Sequence, residues 1–410
     1  MDYQAFIAPL SKRRQPSAIR SLMPLMAQPG MISLGGGNPH PGTFPFVGMS
    51  IQLRSGETLT LDEQEVATGL QYSPTNGLPR LVDWLRKLQT TEHKPPVEFD
   101  VCVGNGSQDV LTKAFDMLLT SEDTLLCESP AYVGSLSFLR PLGCKFAEVS
   151  SDAEGLQPKE LERVLAEWKD SATRPRVLYS VPIGGNPTGC STTLERKKEI
   201  YEIARKYNLL IMEDDPYYYL QFGETRTPSY FSMDVDGRVL RFDSFSKILS
   251  AGVRVGWVTG PKPLIERITL HSQASILHAS GMSQLMVQKV LEHWGIEGFL
   301  KHTDAVSGFY KSKSQFFIEC AKKHLTGLAE WVEPNAGMFV WIKLSGISDS
   351  SSLIKMKAVE KKVLLVPGFE FFPNPKVTPY VRASFSTATY EEIDLALARL
   401  ADLIRSEQKE

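Results

Sequence analysis

The sequence lacks a Cys-x-x-Cys pair, an apolar run near the roughly 18 residues that a bilayer-spanning helix needs, and any acidic residue from position 3 to position 56. Each absence excludes something. The five cysteines (Cys102, Cys127, Cys144, Cys190 and Cys320) are odd in number and scattered, which argues against a disulfide framework and against a zinc site. They fit a reducing compartment, the cytoplasm or the mitochondrial matrix, and not secretion; no metal is expected. Without a long apolar run there is no membrane span to place. A net charge of −2 gives nucleic acid or an anionic membrane little to bind by electrostatics. Internal repeats and low-complexity tracts are missing as well. The acid-free start carries Lys12, Arg13, Arg14 and Arg20. It fits a mitochondrial presequence and equally an ordered arm that crosses onto a neighbouring subunit; Pro9, Pro16, Pro24 and Pro29 interrupt any long amphipathic helix there.

What is present is ordinary in composition: 410 residues, 42% hydrophobic and 22% charged. A chain of this length exceeds one small core, so two domains are expected. Strand-like runs at 101–103, 124–127, 177–181, 209–212 and 239–242 alternate with helical patterns, which argues an α/β fold with a mostly parallel sheet and right-handed crossovers. Ligand-binding groups in such sheets gather just after the strand ends. Past residue 259 helical patterns dominate at 263–271 and 283–323. Strand-like runs at 338–342, 363–366 and 380–385, with helical patterns at 352–361 and 390–405, then form a smaller α+β domain.

The polar residues do fall after the strands. Gly104-Asn105-Gly106-Ser107-Gln108-Asp109 opens a helix at 110–119, and a glycine turn at a helix N-terminus suits an anion. Tyr132, in Glu-Ser-Pro-Ala-Tyr, is either a platform for a planar ring or a core tyrosine. Asn186 lies in Gly-Gly-Asn-Pro-Thr-Gly; Thr192-x-x-Glu195 then reads as a capping box. Asp214 and Tyr217 lie in Glu-Asp-Asp-Pro-Tyr. The densest stretch is 241–256, where Ser244, Ser246 and Lys247 precede a glycine turn and Arg254. Hydroxyls and a guanidinium suit a phosphate, and a lysine amine forms a Schiff base with an aldehyde. Pyridoxal 5′-phosphate carries both groups; the plain alternative is a solvated loop. Earlier in the chain, 32–39 reads as a short strand ending in a glycine-rich loop with Gly37 and Asn38, and Tyr72 is either a phosphate-binding hydroxyl or a turn aromatic.

Four separated elements, Asn186 in Asn-Pro-Thr-Gly, Asp214 with Tyr217, Ser-x-Ser-Lys at 244–247 and Arg382 in a late strand, resemble together the fold-type I pyridoxal-phosphate-dependent aminotransferases of class I/II. The likeness covers nearly the whole chain. The runs Asp-Asp-Pro-Tyr-Tyr, Ser-Met-Asp-Val-Asp-Gly-Arg-Val (232–239), Thr-Gly-Pro-Lys-Pro-Leu-Ile-Glu-Arg (259–267) and Tyr-x-Arg-Ala-Ser-Phe-Ser (380–386) look like the kynurenine/2-aminoadipate aminotransferases. The resemblance implies a seven-stranded, mostly parallel sheet sandwiched by helices in a large cofactor-binding domain (41–300). It further implies an N-terminal arm (1–40) that joins a small C-terminal domain (301–410).

By the same resemblance Lys247 would hold the cofactor's aldehyde and shuttle the substrate proton. Asp214 would pair with the pyridine nitrogen, Tyr217 and Asn186 with the phenolic oxygen, and Tyr132 would stack on the ring. Ser107, Gln108, Ser244, Ser246 and Arg254 would hold the phosphate, with Tyr72 reaching in from the other subunit of a homodimer. Arg382 would clamp the substrate α-carboxylate, with Gly37, Asn38, Arg20, Asn186 and Tyr72 around the substrate. The expected reaction moves an amino group from an L-amino acid to 2-oxoglutarate. Two departures bear on specificity. Ile183-Gly184-Gly185 precedes Asn186 where near relatives usually carry an asparagine, and Asn38 stands where they usually have leucine. A carbon–sulfur lyase or decarboxylase on the same body is the competing enzyme reading. A winged-helix regulator fused to such a body is disfavoured, because the glycine-rich loop at 35–37 leaves no room for a DNA-binding domain before it.

Overall fold

The computed structural model describes residues 1–26, 28–32 and 34–408. In chain order its strands are β1 (Met49–Gln52), β2 (Thr58–Leu61), β3 (Asp100–Gly104), β4 (Thr124–Ser129), β5 (Lys145–Asp152), β6 (Gly155–Leu156), β7 (Val177–Ser180), β8 (Leu210–Asp214), β9 (Val239–Ser244), β10 (Gly256–Gly260), β11 (Ala329–Trp331), β12 (Phe339–Leu344), β13 (Val366–Pro367) and β14 (Tyr380–Ser384). The fold is α/β: a large, mostly parallel eight-stranded sheet flanked by helices, a four-stranded antiparallel sheet, and the β1–β2 hairpin. The strand beyond the seven expected is accounted for by β6, a two-residue partner of β5 too short to leave a periodic signal.

Two compact units are recognisable. The first comprises Met1–Thr120 and Asp234–Phe299. Its strands run in the order β3-β10-β9, and β10 is antiparallel to both neighbours, so β3 and β9 run the same way. Helix Pro79–His93 starts on a proline, turns Leu81, Val82, Leu85 and Leu88 inward, and stops at Lys94 in the left-handed region (φ 47°). Trp257 and Phe245 pack at 4.7 Å between ring centroids in the core. Arg241 and Asp243, two apart on one face of β9, form a fully buried ion pair at 2.8 Å, and Gln89 Nε2 donates to the same carboxylate at 3.0 Å.

The second unit comprises Ser121–Met233 and Leu300–Glu410. Its strands run β8-β7-β4-β5-β6, with β7–β8, β4–β7 and β4–β5 parallel. Every residue of β7 and β8 is buried, as expected of parallel strands covered on both faces. The small sheet, β11-β12-β14-β13, buries Val340, Ile342 and Val381 on one face. Alternation puts Phe339, Trp341 and Arg382 on the other, with Trp341 directly opposite Arg382. Helix Tyr390–Glu407 begins in a Thr389–Glu392 capping box.

Three local expectations differ from the structure. Helix Leu194–Lys206 is capped by Thr193, not Thr192. Thr192 is held elsewhere: its N–H donates to the Pro182 carbonyl at 2.7 Å. It also sits so close to Gly155 that a Cβ there would lie 2.3 Å from its Oγ1. Ile32 and Leu34 are irregular chain, 89% and 98% exposed, with no core face to make a strand; Ser33 lies outside the described residues. The strand expected at 363–366 shrinks to β13. The long helical pattern runs Gly281–Leu325 and breaks at Gly295 (φ 63°, ψ −177°). Among the described residues no helix is long and apolar enough to cross a membrane.

The Arg241–Asp243 pair yields a stability prediction. Asp243→Ala leaves a buried guanidinium uncompensated, so chemical denaturation should show a loss of about 3–5 kcal/mol. A loss below about 1 kcal/mol, the usual size for an exposed pair, would show that Arg241 is hydrated in the folded chain.

Candidate active site

In the first unit, a cup forms at the N-terminus of helix Ser107–Leu118. Gly106 caps it at φ 87° without a side-chain hydrogen bond, while the Asp109 N–H turns back to the Gly106 carbonyl at 3.2 Å, so the positive end of the helix faces the cup. A Cβ on Gly106 would stand 2.2 Å from Arg254 Nη2, and one on Gly256 would stand 2.2 Å from the Ser107 nitrogen. Glycine at both places is what lets these elements close together. Arg254 itself adopts a left-handed φ of 50°. Its guanidinium donates to Ser246 Oγ at 3.3 Å, to the Ala251 carbonyl at 3.1 Å and to the Asn105 carbonyl at 3.1 Å. Ser244 Oγ accepts from the Ser246 N–H at 3.1 Å, which shapes the short 3-10 turn Phe245–Lys247 and leaves Lys247 half-buried. Asp109, the one acid in the first turn, accepts from the Asn105 N–H and is neutralised by Lys113. Ser107, Gln108, Ser244, Ser246 and Arg254 thus all belong to this unit. One uncapped helix end, hydroxyls and a guanidinium fit a phosphate in size, charge and donor count.

In the second unit, Asp214 ends β8 and is 4% exposed. Tyr179 donates to its Oδ2 at 2.8 Å. Its neighbour Glu213 faces the other way and accepts from the N–H groups of Tyr230 (2.7 Å) and Phe231 (3.2 Å). Tyr217 is buried, hydrogen-bonds Asn186, and lies edge-on to Phe339 at 5.9 Å; burial raises its phenol above the ordinary value. Tyr132 caps helix Val133–Leu142, half-buried, its ring lying over Gly134 where a Cβ would clash at 2.4 Å.

Arg382 is held within the same unit. Nη1 donates to Asn186 Oδ1 at 2.8 Å, and the guanidinium lies over the rings of Phe339 (4.3 Å) and Phe371 (5.2 Å). Its Nε is buried with no hydrogen-bond partner among the described residues. Burial pulls its affinity for a proton down, while it stays cationic. A half-buried guanidinium whose buried Nε has no acceptor among the described residues suits an anionic group.

The remaining expected residues are placed less closely. Arg20, in helix Ala18–Met26, donates to the Ser73 carbonyl at 2.6 Å. Tyr72 is 49% exposed and edge-on to His278 at 6.0 Å. Gly37 and Asn38 lie in exposed irregular chain, and a Cβ on Gly37 would meet nothing within 4 Å. Sequence reasoning missed Tyr179, Ser135, Phe339 and Phe371. For Tyr179 a signal existed, since a phenol inside a buried strand needs a partner.

Comparison with known proteins identifies the body that carries these groups. A family model described as aminotransferase class I and II matches residues 30–400. A curated relative, the mitochondrial kynurenine/alpha-aminoadipate aminotransferase of Mus musculus, is 46% identical over 422 aligned residues, covering 99% of each chain. Among solved structures, aminotransferase Aro8 from Candida albicans superposes with a TM-score of 0.91 at 27% identity, covering 100% of this chain and 99% of that one. Kynurenine aminotransferase from Pyrococcus horikoshii, solved with PMP, superposes with a TM-score of 0.79 at 27% identity, covering 100% and 99%. In the first unit the cup suits a phosphate; in the second the buried acid of β8 suits a protonated ring nitrogen and the half-buried arginine of β14 a carboxylate. The chain is a pyridoxal-phosphate-dependent member of the class I and II aminotransferase family.

Proposed function

We propose that this enzyme transfers the α-amino group of L-amino acids to 2-oxoglutarate in two alternating half-reactions, with kynurenine, 2-aminoadipate and other bulky or apolar amino acids as donors. The observation that carries the reading is Arg382, whose unsatisfied buried Nε and aromatic seat suit an α-carboxylate common to donor and acceptor. The donor class rests on the identity to the mouse enzyme.

When bound, pyridoxal phosphate supplies an electrophilic carbonyl and an electron sink. The chain's own groups do the rest. The Nζ of Lys247 takes the proton from substrate Cα and holds it for return. Asp214 keeps the ring nitrogen protonated, Tyr217 and Asn186 donate to the phenolic oxygen, and Tyr132 covers the ring. Ser107, Gln108, Ser244, Ser246 and Arg254 hold the phosphate. Gly37 and Asn38 border the substrate side chain. In functional terms the chain divides into the arm 1–40, the cofactor-binding domain 41–300 and the small domain 301–410. Five free, buried thiols and the naming of its relatives support a place in the cytoplasm or mitochondrial matrix.

A homodimer with shared sites completes the reading, Tyr72 of each subunit reaching the phosphate of the other. It is supported by exposed apolar side chains spread along the first fifty residues: Leu10 (58%), Ile19 (59%), Ile32 (89%), Leu34 (98%) and Val47 (73%). Sedimentation equilibrium should return twice the chain mass; a single-chain mass at micromolar protein would sink the shared site.

Borohydride treatment of the yellow enzyme followed by peptide mapping should place the cofactor label on Lys247; label on another lysine overturns the assignment. The same preparation, given amino acids without an oxo acid, should release neither ammonia nor carbon dioxide in repeated turnover. Release of either would favour the lyase or decarboxylase reading.

Arg20 must leave the Ser73 carbonyl to meet a distal carboxylate. Arg20→Ala should therefore raise KM for 2-oxoglutarate and 2-aminoadipate about tenfold, the worth of one charged hydrogen bond, and change that for kynurenine or leucine little. Equal effects on all donors would make Arg20 structural.

A further inference from the structure

Behind Asp214 lies a chain of hydroxyls that the reaction as described above does not use. Ser135, buried in helix Val133–Leu142, donates from Oγ to the Tyr179 oxygen at 2.8 Å. Tyr179 in turn donates to Asp214 Oδ2 at 2.8 Å. Tyr179 is 2% exposed and Ser135 0%. We propose that Tyr179, oriented by Ser135, is a positioning residue for Asp214, the fixed donor that keeps this carboxylate ionised and aimed at the cofactor's ring nitrogen. The inference rests on the assignment of Asp214 to that nitrogen.

The geometry leaves the phenol little choice. In the parallel β7–β8 pair Tyr179 stands opposite Met212. Asp214 is two residues beyond Met212, on the same face and diagonal to Tyr179, a separation that a long aromatic side chain spans. Ser180 and Glu213, the next pair in register, point to the opposite face. There Ser180 donates to Glu128 and Glu213 accepts from backbone N–H groups. The phenol oxygen accepts from Ser135, so its own proton is directed to Asp214, and the two hydrogen bonds polarise each other. Burial and the charge of Asp214 raise the Tyr179 phenol well above its ordinary value, so it remains a donor throughout the working pH range.

The consequence is electronic. A carboxylate that accepts a hydrogen bond has a lower affinity for protons. The shared proton therefore stays on the ring nitrogen and does not pass to Asp214. Without the phenol the pair drifts toward a neutral acid facing a neutral pyridine, and the ring loses its power to accept electrons from substrate Cα.

The test uses the loaded enzyme with cofactor labelled with ¹⁵N in the ring. Wild type should show a pyridinium nitrogen resonance. In Tyr179→Phe the resonance should move toward the neutral pyridine position. The value of kcat should fall roughly ten- to a hundredfold, as for loss of a hydrogen bond to a charged group, with KM little changed. Ser135→Ala should move both readouts the same way by less, and it carries the test if the phenylalanine variant does not fold. In an Asp214→Asn background Tyr179→Phe should cost almost nothing further, because it acts through that carboxylate. An unmoved resonance in Tyr179→Phe, or a full additional loss in the Asp214→Asn background, would overturn the inference. A wild-type enzyme without a pyridinium signal would overturn the assignment of Asp214 itself.

Discussion

Seating acidic side chains inside the protein is the constraint that the second unit is arranged around. Asp214 at 4% exposure has given up most of its water, a loss of several kcal/mol unless donors replace the solvent. The next residue back, Glu213, is fully buried too. Two adjacent buried acids on one face would repel each other. The alternation of a strand sends them to opposite faces, and each then draws donors from a different place. Tyr179 of the neighbouring strand serves Asp214, and the N–H groups of Tyr230 and Phe231 serve Glu213. Parallel pairing of β7 and β8 thus sends the two acids to different faces and different donors.

The first unit meets a different demand, that of converging donors without a side chain in the way. The uncapped helix end at Ser107, the left-handed Arg254 and the hydroxyls after β9 crowd one small volume. Only glycine fits at 106 and 256, where a Cβ would stand 2.2 Å from Arg254 Nη2 or the Ser107 nitrogen. The donors are set before a ligand arrives, so little ordering cost remains for binding. The antiparallel β10 contributes here: it places Gly256 opposite Gly104 on one side and Ser244 on the other, joining the turn before the helix to the turn before Lys247.

Much of this was legible in the sequence for a definable reason. Lys247, Ser244 and Ser246 lie at or just after the end of apolar β9, and Asp214 and Asn186 at or after the ends of the parallel β8 and β7, positions where open α/β sheets carry ligand-binding groups. The alternation of strand and helix gave the fold class on the same logic. What was not legible depends on register and on side chains far apart in sequence. Nothing local to Tyr179 names Asp214 as its partner, nothing local to Ser135 names Tyr179, and nothing around Phe339 or Phe371 names Arg382. The capping threonine was misread by one residue because Thr192 and Thr193 are equivalent in sequence; the close packing of Gly155 decides between them. The apolar residues at 32 and 34 carry a strand-like pattern, yet among the described residues no neighbouring strand covers them.

The setting of Arg382 shows how the proposed carboxylate anchor differs from a stabilising ion pair. Arg241 also sits in a strand, fully buried where Arg382 is half-buried, but it faces Asp243, and the two charges cancel. Arg382 faces the amide oxygen of Asn186 and two aromatic rings. A carboxylate in place of Asn186 would satisfy the guanidinium in the free enzyme and compete with the substrate's own carboxylate. The amide fixes the orientation through one hydrogen bond and leaves the positive charge unspent. The ring faces of Phe339 and Phe371 lower the desolvation cost of that charge without neutralising it. Asn186 also hydrogen-bonds Tyr217, so the group that orients the carboxylate anchor is tied to one assigned to the cofactor's phenolic oxygen. Movement of either partner is then felt by the other, so in the proposed site the placing of the substrate carboxylate would be linked to the geometry at the ring edge.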